Sequence, residues 1–324
     1  MTNTFEFIDW AFIIGFLIVS LSIGLFARKQ ILNVDDFLLV GRKLRSFRGI
    51  ATLASTEMGL VTIIYFSEEA YSNGFVAIMA GIIAALTMWV IGKTGFVIKH
   101  LRSLGIRTVP EYFEMRFTPG VRWIAGVLIF LTGILNMGIF LQVEGRFLSI
   151  TMGFPAHTLP IIMGIILVIV VSYTILGGMY SVVITDIFQF IVLLAGIVLI
   201  SYYAIVHAGG INGMVDSVQA HYGDAGFDLR EAPKYGLLFI LWTALYYTAG
   251  WSSWQPVVQR VFSMKDGDTA KKLYRISSIF MFFRACMPML WGIAALGVIG
   301  IIPDTQTALP NMLIRIIPAG MIGF

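Results

Sequence analysis

The sequence predicts an all-α, polytopic helical membrane protein, and three observations carry that prediction. Of the 324 residues, 58% are hydrophobic and only 12% are charged, with a mean hydropathy of +0.87. Soluble domains carry roughly 25% charge. Apolar runs near the roughly 20 residues needed to cross a bilayer recur along the whole chain. Lys and Arg gather in alternate connections between those runs. The runs are too long for barrel strands, and helices satisfy their own backbone polar groups in lipid. One domain over residues 1–324 is the simplest account of the length.

The first run, about 8–27, follows Glu6 and Asp9 instead of a basic stretch and shows no small-residue cleavage site. It therefore reads as a retained helix, not a signal peptide. The second, about 48–73, contains GIATLASTEMGLVTIIYF, where Ser55, Thr56, Glu57 and Gly59 make a polar interruption. Runs follow at about 76–98, 121–150, 158–177 and 182–206, the last two meeting at a Gly177–Gly178 turn. The acidic segment 207–235 predicts a short interfacial helix and a loop. The run at about 236–262 contains LYYTAGWSSWQPVVQR, interrupted by Gly250, Ser252, Ser253 and Pro256. Pro256 removes one helical hydrogen bond and crowds the preceding turn. An eighth run spans about 273–301, and a ninth begins near 308 and is cut off at Phe324.

The basic residues orient the chain. Arg28, Lys29, Arg42, Lys43, Arg45 and Arg48 fill the first connection, and Lys93, Lys99, Arg102, Arg107, Arg116 and Arg122 fill or flank the third. Arg260, Lys265, Lys271, Lys272 and Arg275 fill or flank the seventh. The alternate connections hold mainly acidic groups, such as Glu68, Glu69 and Asp304. The positive-inside pattern thus places the N-terminus outside and the basic loops in the cytoplasm of a plasma-membrane protein. It also accounts for the pI near 9.1, so no nucleic-acid partner is called for. The single Cys286 excludes an internal disulfide or a thiolate metal cluster. All four histidines fall in loops or at span ends, which argues against haem held between helices.

A charge at the centre of a span costs about 2.5–3.5 kcal/mol on insertion scales and calls for an explanation. Glu57 and Arg284 lie nearest the middle and are expected to be functional, either as an internal ion pair or with Arg284 meeting a carboxylate-bearing substrate. Glu144 and Arg146 lie near a span end, where snorkelling to the headgroups explains them equally well. Arg260, at the inner end of its helix, reads as an interfacial residue. Asp186 sits about a turn into its span, where helix capping competes with a role in an ion path. Two interrupted helices at corresponding positions of two halves point to a secondary transporter built from inverted repeats.

The motifs agree in type and order with a known family. RTVPEYFEMRF, YTILGGMYSVVITDIFQ, WQPVVQRVFSMKD and FLLVGRKL resemble elements of the sodium:solute symporter family, which includes sodium/proline and sodium/sugar cotransporters. The resemblance implies a LeuT-type inverted-repeat fold with an extra N-terminal helix, the first repeat covering about 48–206 and the second starting near 236. It also implies a sodium ion bound by carbonyls of the first broken helix, at Ala51 and Ala54, with Glu57 at or near the ion site. Asp186 matches the signature aspartate linked to sodium coupling and an inner ion pathway. Ser55, Thr56, Met58, Tyr247, Trp251 and Arg284 fall in the implied substrate cavity. Arg284 aligns with a sugar-holding lysine of some relatives, and Gly250 replaces an aromatic gate residue of sugar carriers, which argues against a hexose.

NMLIRIIPAGMIGF resembles the start of the helix whose Ser/Thr hydroxyls complete the family's sodium site. The expectation is accordingly a C-terminally truncated chain with an incomplete second repeat. The expected function is sodium-coupled uptake of a small organic solute, such as an amino acid or carboxylate, by alternating access, with sodium as coupling ion and no enzymatic activity. The alternative is a symporter-like sensory domain of a larger signalling protein.

Overall fold

The computed structural model describes residues 5–27, 33–232 and 234–323. Arg28 and Lys29 of the first basic connection, and Phe324, lie outside the described residues. Helix α1 (Phe7–Ala27) carries Asp9 in its first turn, and that carboxylate accepts from the N–H of Glu6, just before the helix, at 2.8 Å. In the first connection a short α2 (Val34–Leu39) is capped by Asn33, which accepts from Asp36 N at 2.8 Å.

The second predicted span is two helices, α3 (Ser46–Glu57) and α4 (Leu60–Asn73). Between them Met58 (φ −97°, ψ 50°) and Gly59 (φ −74°, ψ 160°) leave the helical region. Helix α5 (Ile78–Thr94) stops at Gly95, whose φ of 78° is the left-handed closing position that favours glycine. Its end falls short of the predicted 98 for that reason. The basic connection beyond it folds into α6 (Ile98–Ser103) and α7 (Val109–Arg116). Helix α8 (Pro119–Thr151) starts with a Thr118 cap and a proline in the first turn, where the missing N–H costs nothing.

Helix α9 (Leu159–His207) carries two predicted spans in one run, divided only at Gly178 (φ 50°, ψ −156°). Its arms double back. Leu159 packs at Gly145 of α8, and Ile200 of the second arm lines one cavity with Leu148 of that same helix end. A Cβ on Gly178 would lie 2.5 Å from the Phe37 ring of α2, so glycine is required there by space as well as by φ. The acidic segment holds α10 (Gly210–Tyr222), as expected.

The seventh span is also broken, into α11 (Leu237–Ser253) and α12 (Gln255–Ser263), with Trp254 (φ −61°, ψ 114°) at the joint and Pro256 in the first turn of α12. Helix α13 (Gly267–Ile299) packs against α3, α4, α5 and α9 and forms the centre of the bundle. It approaches α4 backbone to backbone, since a Cβ on Gly292 would sit 1.9 Å from the Ser67 carbonyl oxygen. Small residues permit such contact where no hydrophobic force drives helices together. Helix α14 (Ala308–Ile316) is followed by a turn whose Gly320 and Gly323 N–H groups donate to the buried Asp9 carboxylate at 3.2 and 2.8 Å, tying it to α1.

Five helical stretches among the described residues are long and apolar enough to cross a membrane: Phe7–Gly24, Leu60–Thr94, Pro119–Thr151, Gly178–His207 and Gly267–Ile299. The second of these is divided at Gly74 (φ 75°). The two helix breaks leave α3, α11 and α12 shorter than a full crossing. Charges segregate to opposite ends. At one end Arg102 donates to the Met264 and Lys265 carbonyls, and Arg42 to those of Gly105 and Ile106. At the other, Glu69 accepts from Lys234 and Tyr235, Arg146 pairs with Asp304, and Thr305 donates to Glu68.

Candidate functional site

Two buried polar clusters meet on the broken helix α3–α4. The first lies on α3. Thr52 and Thr56 are four residues apart and so share one helix face. Both hydroxyls reach the Asp186 carboxylate of α9, Thr56 at 3.3 Å. Arg260 of α12 joins them, 3.4 Å from Asp186 and also bonded to Thr56. A further bond at 2.8 Å to the Pro256 carbonyl fixes the guanidinium. Its Nε has no protein partner among the described residues. The pair is deeply buried, with side chains 6% and 9% exposed.

This corrects the expectation for Arg260 and decides between two alternatives for Asp186. Arg260 is not interfacial: α3 and α9 fold over it and close it from solvent. Asp186 does not cap a helix start either, because its carboxylate points across the bundle to α3 and α12. An isolated buried charge would be prohibitive, and the opposite charge with the hydroxyl and carbonyl bonds around it is what makes the arrangement tolerable.

The second cluster sits at the break itself. Arg284 of α13 donates from Nε to the Glu57 carbonyl oxygen at 2.5 Å and from Nη2 to the Thr62 hydroxyl at 3.1 Å. The Glu57 carboxylate lies 3.6 Å from Nη2. The guanidinium also faces the Phe66 ring, 5.7 Å from its centroid. The internal Glu57–Arg284 pair is therefore present.

The other predicted residues are placed as follows. Ala51 and Ala54 are buried on α3, and the Ala54 carbonyl accepts from Met58 N at 3.1 Å. Ser55 and Met58 flank the break. Thr56 bonds to Asp186 and Arg260. Tyr247 stacks on Trp251 at 5.7 Å, and Trp251 is buried with its indole N–H donating to the Ala84 carbonyl at 3.0 Å. Sequence reasoning missed Thr52, Thr62 and the burial of Arg260. The four-residue spacing of Thr52 and Thr56 was the available signal.

The model of the sodium:solute symporter family matches residues 37–323. The chain belongs to the sodium:solute symporter family. Among its similar proteins, the sodium/glucose cotransporter of Vibrio parahaemolyticus is 28% identical over 279 residues, covering 81% of this chain and 50% of that protein. The human sodium-coupled monocarboxylate transporter 1 is 27% identical over 280 residues, covering 83% and 44%. The chain thus spans about half the length of the curated relatives it matches. A solved Na+-coupled sialic acid symporter, in a substrate-bound outward-open state, superposes with a TM-score of 0.83 at 21% identity. The match covers 98% of this chain and 69% of that one. This symporter-family chain therefore has the LeuT-type fold.

Proposed function

We propose that the chain acts in sodium-coupled symport of a small organic solute across the plasma membrane by alternating access. The observation that carries this reading is the buried Asp186–Arg260 pair, with Thr52 and Thr56 of the first broken helix bonded to it. A charged cluster at that depth is expensive and serves an ion path. Sodium would be held by the Ala51 and Ala54 carbonyls of α3, where half-helix backbone offers oxygen ligands, with Glu57 shaping the surroundings. Asp186 lies farther along the path and exchanges Arg260 for the ion as α12 moves. Ser55, Met58, Tyr247, Trp251 and Arg284 border the solute, with Thr56 linking the cavity to the ion path.

The positive-inside pattern supports an outside N-terminus and a cytoplasmic basic end. Inward movement of one charge is then driven by about 2.3 kcal/mol per 100 mV of potential. Family membership supports sodium as the coupling ion, and the relatives' named cargoes support a small solute. The test is uptake by reconstituted protein against a panel of amino acids, carboxylates and sugars, with sodium or choline outside. Uptake of at least one solute should require sodium, and equal rates in the two salts overturn the proposal.

A further inference from the structure

The C-terminal end of a half-helix carries roughly −0.5 elementary charge on its free carbonyls, and in transporters such ends coordinate a cation. At the end of α3 three oxygens converge: the Glu57 carbonyl, the Glu57 carboxylate and the Thr62 hydroxyl. All three face one group, the Arg284 guanidinium, at 2.5, 3.6 and 3.1 Å. Thr62 completes the ring by donating to the Glu57 carbonyl at 3.3 Å. A guanidinium does not lose its proton in a protein. Its carrier, α13, is held by packing along α4 and α5, so the charge cannot leave with the solute or the ion.

We propose that Arg284 is a tethered cation that permanently fills the Glu57 and Thr62 oxygen set at the α3–α4 break, so that these oxygens hold no exchangeable sodium. The proposal deepens the transport reading and rests on it for its bearing on coupling: sodium must then bind away from the Glu57 oxygens. Removing the guanidinium while keeping the oxygens converts the position into a metal site. Lysine at 284 keeps the charge and preserves the original behaviour.

The test is the melting temperature of purified protein in sodium chloride and in choline chloride at equal ionic strength. Arg284→Ala should show a wider gap between the two salts, by several degrees, than either the native chain or Arg284→Lys. Equal gaps in all three overturn the proposal. Thr62→Val provides a second arm that does not depend on the alanine variant folding. Its gap should match the native one, and a gap that shrinks shows that the Thr62 hydroxyl binds the ion and overturns the proposal. Failure of the transport reading is recognised separately, as sodium-independent uptake by the native protein.

Discussion

Arg260 and Asp186 hold one another in a place neither could occupy alone. Removing one partner of a buried pair leaves an uncompensated charge and costs about 3–5 kcal/mol, whereas replacing both with apolar groups is often near neutral. Arg260→Met should therefore destabilise the protein by about that amount, and Arg260→Met combined with Asp186→Leu by much less, as read from denaturation in detergent. If the double variant is as unstable as the sum of the singles, the two side chains do not interact. The pair was half legible in the sequence. Asp186 stands out as a carboxylate in an apolar run, but Arg260 lies so near a basic loop that its own helix suggests an interfacial site. Its burial comes from α3 and α9, which no local pattern around 260 encodes.

Among the elements, those with punctuation in the chain were read well. The α3–α4 break announces itself in Ser-Thr-Glu-Met-Gly, and the α11–α12 break in Pro256. The three short helices α2, α6 and α7 within basic connections escaped, because six to eight residues are too few to show a period against a charged background. Element ends also carry measurable energy. Asp266 caps α13 by accepting from Thr269 N at 2.7 Å, and that backbone hydrogen bond holds its carboxyl below the usual carboxylate range. Asp266→Ala should cost about 1 kcal/mol. Because the folded pKa is depressed, the charge contributes stability above the unfolded value of about 3.9 and loses it as pH falls further. The stability difference between native protein and Asp266→Asn should thus be present at neutral pH and shrink in that acid window; a constant difference refutes the role. At the α4–α13 contact, Gly292→Ala should force the helices apart, since its Cβ would stand 1.9 Å from the Ser67 carbonyl oxygen. A lower melting temperature is the expected outcome, and an unchanged one would mean the contact yields freely.

For the molecule as a whole, charge asymmetry predicts how it lies in the membrane. Cys286 is the single cysteine and is buried, so a cysteine introduced elsewhere reports alone. Lys272→Cys at the basic end should be protected from an impermeant thiol reagent added to intact cells, and Arg230→Cys at the acidic end should react. The reverse result would invert the orientation. At this scale the chain's low charge and its alternating basic connections made the class readable early. The packing of α13 through the centre of the bundle was not readable, since it depends on glycine and small-residue contacts between segments far apart in sequence.

The joint at Gly178 has a practical meaning for handling the protein. Two apolar helical arms meet there with one non-helical residue between them. A protease finds no strand to thread into its cleft at this position, and an inserted epitope has no slack to occupy.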